Sequence, residues 1–205
     1  MLARRAVFVW TCLAAICALP VSLAAFSPYL AWREPIYIVS GFAGILALVI
    51  LFMQPLLAGG KLPGLSLRRA RLVHRWIGAA LVLAVLVHVI GLWLTSPPDV
   101  IDALLFRSPT PFSDWGVIAM WALFGAAALA AFRNKIRLSP RLWRILHIAM
   151  VVTASIGTVI HAILIEGTME PVSKAALCAL ALAALAKTLY DLRALALIGA
   201  VLRRG

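Results

Sequence analysis

Leu65-Ser66-Leu67-Arg68-Arg69-Ala70-Arg71-Leu72-Val73-His74 opens an apolar run that reaches His88. Leu138-Ser139-Pro140-Arg141-Leu142-Trp143-Arg144-Ile145-Leu146-His147 opens a second run that reaches His161. Both stretches read L-S-x-R-x-x-R-x-x-H-x13-H, and between them they use all four histidines of the chain. Fourteen residues of α-helix turn through about 1400°, roughly 40° short of four whole turns, and rise about 21 Å. Each histidine pair therefore projects from nearly one face at two depths. Two such helices, side by side and running the same way, would offer two facing pairs, one above the other. That arrangement is a cage for two planar metal cofactors.

Working outward, the composition sets the fold class. Hydrophobic residues make up 64% of the 205 and charged residues 13%, with a mean hydropathy of +1.05. Apolar runs of this length exceed what a water-soluble fold could cover. A span needs roughly 20 apolar residues to cross about 30 Å of hydrocarbon, so the chain has room for about six and for no further soluble domain. The reading is all-α, a polytopic membrane protein with one domain over residues 1–205. Its spans fall at about 6–26, 36–57, 68–95, 115–132, 141–165 and 172–189, and about 190–205 reads as a surface helix or tail. Residues 6–26 also have the form of a signal peptide, with Ser22-Leu23-Ala24 resembling a cleavage site; the charge distribution favours a retained helix. Ser66 and Ser139-Pro140 are start signals for the two histidine helices. Ser96-Pro97-Pro98 ends the first of them and opens a loop to Asp114, with an apolar patch at about residues 104–106 that lies in the interface.

The net charge of +12 does not point to nucleic acid, because the basic residues sit at the ends of apolar runs. With the N-terminus inside, all 19 Lys and Arg except Arg33, Arg107 and Lys174 fall on the cytoplasmic side. Both termini are then cytoplasmic, and the third and fifth spans run parallel. His74 and His147 share an inner level, His88 and His161 an outer one. Cys12, Cys17 and Cys178 lie in apolar runs with no C-x-x-C or C-x-x-C-H, so they read as small buried hydrophobes.

Histidine inside a bilayer is costly unless it is paired or ligating. Four unrelated histidines bonding across helices would satisfy that rule; equal spacing on two parallel helices favours ligation. Zinc or copper would find two imidazoles per level and no carboxylate or thiolate, a poor closed site. Two facing imidazoles suit a low-spin b-type haem, which passes single electrons. Arg71 and Arg144 each lie three residues before the inner histidine, one turn nearer the cytoplasm, where a guanidinium fork could meet a haem propionate or serve as a topology anchor. Trp76 and Trp143 read as interfacial belt residues or as haem packing. No aromatic residue lies midway between the two levels on either histidine helix.

The doubled motif within six spans resembles the ferric reductase-like transmembrane domain. That superfamily includes ferric reductases, the membrane part of NADPH oxidases, and bacterial haem subunits serving a periplasmic methionine-sulfoxide reductase. The resemblance covers about residues 7–189 and rests on His74, His88, His147 and His161, which match the ligand positions one by one. It implies transmembrane electron transfer through two b-type haems, the inner on His74 and His147, the outer on His88 and His161. Electrons would pass from a cytosolic flavin to an acceptor outside, either ferric iron or a periplasmic partner reductase. The sequence ends at Gly205 with no G-x-G-x-x-G, so the expectation is the membrane haem subunit of an oxidoreductase without its own NAD(P)H or FAD domain. A separate cytosolic flavin reductase, or membrane quinol, would supply it in a bacterial inner membrane. A quinol-oxidising cytochrome b subunit and a non-redox membrane protein with structural histidines are the alternatives. Arg133, Lys135, Arg137 and Lys61 form a basic face suited to an acidic donor or a flavin phosphate. Asp99, Asp102, Asp114, Glu166 and Glu170 are acids on the outer side that could attract ferric iron.

Overall fold

The computed structural model describes residues 2–192, and the tail expected at about 190–205, with Arg193, Arg203 and Arg204, lies outside the described residues beyond Leu192. Among the described residues the chain forms α-helices and no strand. The helices are α1 (Leu2–Ala25), α2 (Pro35–Gly59), α3 (Leu67–Thr95), α4 (Pro97–Leu104), α5 (Pro111–Ala131), α6 (Pro140–Leu164) and α7 (Pro171–Asp191). All but α4 are long and apolar enough to cross a membrane, so the protein is an integral membrane bundle of six candidate spans.

Local chemistry explains where the helices begin. Proline occupies the first position of α2, α4, α5, α6 and α7, where its missing N–H costs nothing and its fixed φ suits the helix. The Ser66 hydroxyl accepts from the Arg69 amide at 3.4 Å, and Ser139 from the Leu142 amide at 3.2 Å. Both histidine helices therefore start at the same point of the repeated motif. Gly60, at φ 64°, ends α2 in the left-handed conformation.

Two segments differ from the sequence reading. Ser96-Pro97-Pro98 ends α3, but the next residues form α4 rather than a loop. Pro97 takes a first-turn position, Asp99 lies in the positive end of the helix, and the Ser96 hydroxyl donates to Asp99 at 2.6 Å. The last span also runs further than its apolar stretch. Lys187 is exposed and pairs with Asp191 at 2.6 Å, and Asp191 also takes Lys61 from the α2–α3 loop at 2.5 Å. Pairing its own charges lets α7 continue to Asp191.

The core is organised around α2. One side of it, Leu48, Val49 and Phe52, packs on Leu177, Cys178, Ala181 and Ala184 of α7, with Leu13, Ile16 and Cys17 of α1 beside them. Its other side, Ala47 and Leu51, packs on Leu81 and Ala84 of α3. A helix apolar all round and covered on two sides is a buried helix. The closest packing is between α2 and α3 and between α5 and α6, and the histidine helices α3 and α6 make no extended backbone packing with one another. Space is thus left along the faces that carry the histidines.

Candidate functional site

The structure brings the four histidines together as two pairs. Leu81 and Val85, seven and eleven residues after His74, line one cavity with Ala154 and Thr158, seven and eleven residues after His147. The helices α3 and α6 therefore run the same way, with matched heights. All four rings are partly buried.

Each ring is oriented from the helix behind it. His88 Nδ1 donates to the Ser40 carbonyl at 2.8 Å and His74 Nδ1 to the Gln54 carbonyl at 3.1 Å, both on α2. On α5 the Phe112 carbonyl accepts from His161 Nδ1 at 2.7 Å. His147 Nδ1 lies toward the Ala126 carbonyl but makes no hydrogen bond of good geometry. A carbonyl can only accept, so a ring bonded in this way carries its proton on Nδ1 and keeps the Nε2 lone pair free. Metal-bound histidines are typically held in this way by an outer hydrogen bond.

The bracing positions repeat as the histidines do. Ser40 and Gln54 are fourteen residues apart on α2, and Phe112 and Ala126 are fourteen apart on α5. From Ser40 to Phe112 and from Gln54 to Ala126 is 72 residues, while His74 to His147 and His88 to His161 is 73. The α5–α6 hairpin is thus an offset copy of α2–α3. One turn after each outer brace stands a glycine under the outer ring. A Cβ on Gly44 would come within 2.9 Å of His88 Nδ1, and one on Gly116 within 2.7 Å of His161. No real Cβ tolerates such contacts, so both outer imidazoles occupy seats that only glycine provides.

The two tryptophans part company. Trp76 is 72% exposed and faces outward, as a belt residue does. Trp143 stacks on His147, ring centroids 5.1 Å apart and planes 9° apart, and its indole N–H donates to the Leu129 carbonyl at 3.0 Å. The Arg133 guanidinium lies over the Trp143 ring, 4.5 Å from its centroid. Arg71 and Arg144 are exposed on the inner side of their histidines, and among the described residues neither forms an ion pair or side-chain hydrogen bond within the chain.

Between the levels lies a cavity of about 40 Å³ walled by Leu51, Leu81, Val85, Leu123 and Ala154, with Thr158 as its one polar side chain. The outer acids do not gather. Asp99 is bonded to Ser96 and Glu170 caps α7, where the Val172 and Ser173 amides hold its carboxyl below the usual range. Among the described residues no group of three His, Cys, Asp or Glu could hold a bare metal ion. Two imidazoles per level instead suit a metal whose other positions are already filled by a planar ligand.

The braces on α2 and α5 escaped the reading of the ligand helices. Their signal is a faint repeat at an offset of 72: Gly44, Ala47, Leu51 and Phe52 recur as Gly116, Ala119, Leu123 and Phe124. Three of those four positions lie on the face that carries the braces.

The family model described as "Ferric reductase like transmembrane component" matches residues 40–158. The match begins at the first brace, Ser40, and takes in three of the four histidines. No curated protein and no solved structure matches the chain.

Proposed function

This chain belongs to the ferric reductase-like transmembrane component family, and from that premise we propose that it moves electrons across the membrane through two b-type haems. His74 and His147 hold the inner haem and His88 and His161 the outer. The observation that carries this reading is that three of the four imidazoles commit Nδ1 to a carbonyl of the neighbouring helix, leaving Nε2 as the ligating atom. When bound, the two haems supply one-electron carriers at two depths. Arg71 and Arg144, unpaired within the described chain, neutralise carboxylates of the inner haem. The mainly apolar layer around Leu51, Leu81 and Leu123 separates the two levels by a low-dielectric spacer.

The basic side faces the cytoplasm of a bacterial inner membrane. Arg68, Arg69, Arg133, Lys135 and Arg137 are exposed there, and Asp191, the one acid on that side of the described chain, is already paired with Lys61 and Lys187. That face receives a separate cytosolic flavoprotein through charge complementarity. The acceptor outside is ferric iron or a partner reductase.

Purified protein should give a reduced-minus-oxidised spectrum of b-type haem and about two haems per chain by pyridine haemochrome. His88→Ala should lose one of the two and abolish outward electron flow. A colourless preparation from haem-replete cells, or a His88→Ala protein that keeps both haems, would defeat the assignment. Reduction by NADH plus a flavin reductase, but not by a quinol analogue, is the expected donor pattern.

A further inference from the structure

The back of α5 is bare where the back of α2 is covered. At the repeat offset of 72 residues, Leu48, Val49 and Phe52 of α2 correspond to Met120, Trp121 and Phe124 of α5. On α2 these residues form the seat that packs on α7, with α1 beside it, and Val49 is 7% exposed. On α5 Met120 is buried within the bundle, but Trp121 is 59% exposed. Phe124 meets the Trp121 ring edge-on, centroids 6.0 Å apart, so the two form one aromatic surface. Trp121 is also out of place against lipid. It stands at the middle of α5 (Pro111–Ala131), whereas tryptophan favours the ends of a span. The indoles of Trp10 and Trp143 donate to the Pro63 and Leu129 carbonyls, but that of Trp121 has no partner among the described residues. Hydrocarbon offers it none, and an N–H left there without an acceptor is costly.

The chain carries a surface that fits. Leu13, Ile16, Cys17 and Val21 of α1 turn toward the bundle, and the opposite side of that helix exposes Thr11, Ala14, Ala15, Ala18 and Ser22. Small residues let a second helix come close inside a membrane. Ala14 lies near the middle of α1, at the depth of Trp121 in α5, and Thr11, one turn away, offers a hydroxyl oxygen. We propose that the back of α5 seats α1 of a second copy of this chain. Trp121 and Phe124 pack on the small side of that helix as Val49 and Phe52 pack on α7, and the Trp121 indole donates to the Thr11 hydroxyl. The two faces differ, so the association is heterologous and joins copies head to tail. It backs the helix that braces His161, as α7 and α1 back the helix that braces His88. The contact uses no histidine, so it stands or falls independently of the haem reading.

The test uses the full-length protein in its membrane. With the photoreactive residue benzoylphenylalanine in place of Trp121, irradiation should give a species of twice the chain mass whose second cross-linked peptide comes from α1. Adducts to lipid alone, or to a different protein, would overturn the proposal. Energy transfer between labelled copies in vesicles, followed as lipid is added, measures the strength of association. Trp121→Leu should weaken it by about tenfold or more, as loss of an interface tryptophan commonly does. Ala18→Leu, which crowds the small side of α1 while leaving that span more apolar, should weaken it as well. Wild-type protein that is monomeric at every lipid ratio, or association unchanged in both variants, would also overturn it.

Discussion

The outer and inner histidine levels are built from the same repeat yet held by different means. At the outer level both rings are pinned by main chain: 2.8 Å to Ser40, 2.7 Å to Phe112, with a glycine beneath each. Ser40 adds a second tie, its hydroxyl donating to the His88 carbonyl at 2.5 Å. At the inner level His74 makes a longer bond of 3.1 Å, His147 makes none, and Trp143 supports it by stacking. Two of the three buried polar atoms without a partner among the described residues, Gln54 Nε2 and His147 Nδ1, also lie there. Backbone carbonyls on packed helices cannot swing aside, whereas side chains can. The outer level is held by main-chain carbonyls on both sides, whereas the inner level relies on one longer carbonyl bond and an aromatic stack.

The sharpest way to break this contrast is to fill a glycine seat. Gly116→Ala places a methyl 2.7 Å from the His161 ring, so the ring must leave the Phe112 carbonyl or the helices must part. Overpacking of this kind costs about 1–3 kcal/mol. Gly116→Ala should lower haem content from two toward one per chain, and Gly44→Ala should do the same more weakly, since its closest contact is 2.9 Å. The corresponding inner positions, Ala58 and Ala130, already carry a methyl. Full haem content in Gly116→Ala would mean that the outer seats are not tight.

Next in size is Trp143→Leu. Aromatic stacking contributes about 0.5–1.5 kcal/mol beyond area burial, so the inner haem should bind up to about tenfold more weakly while the outer is unchanged. Haem release to apomyoglobin measures this, one kinetic phase quickening and the other not. If both phases quicken, Trp143 supports the bundle and not the inner level alone.

Smaller still is a difference in potential between the levels. A firm Nδ1–H···O=C bond makes an imidazole more basic and favours ferric iron, so the outer haem should titrate at a lower midpoint than the inner. Ser40→Ala removes one hydrogen bond, worth about 0.5–1.5 kcal/mol, and should narrow the gap by loosening His88. Potentiometric titration with two resolved steps checks both points, and a single step in wild type would leave the structural contrast without a redox consequence.

These differences explain what could be seen in the chain and what could not. The six spans and both serine caps follow from hydropathy and from single positions such as Ser66 and Ser139, which act locally and so show in local sequence. The pairing of the histidines followed from the helical period together with the Lys and Arg distribution, which runs the third and fifth spans the same way. The braces did not, because Ser40, Gln54, Phe112 and Ala126 contribute carbonyls, and a carbonyl is the same on every residue. Only Gly44 and Gly116, where the side chain has to be absent, leave a mark of that contact in sequence. Helix α4 was hidden for a related reason. Proline reads as a break, but Pro97 both ends α3 and supplies the first turn of the next helix.

The smallest expected effect lies outside both levels and shows that they can be perturbed separately. Glu170 caps α7 with its carboxylate oxygens 2.8 Å from the Val172 amide and 2.6 Å from the Ser173 amide, and these bonds lower its pKa in the folded protein. A lowered folded value means the cap contributes fully above the unfolded glutamate pKa and is lost as the pH falls through the folded one. The Glu170 carboxylate lies at the protein surface, so water screens most of this contribution. Glu170→Gln should flatten part of the acid-side fall in thermal stability while leaving haem content and both midpoints as in wild type. A shift in either midpoint would show that the outer end of α7 is coupled to the histidine levels, and that they are less independent of the surrounding bundle than their separate braces imply.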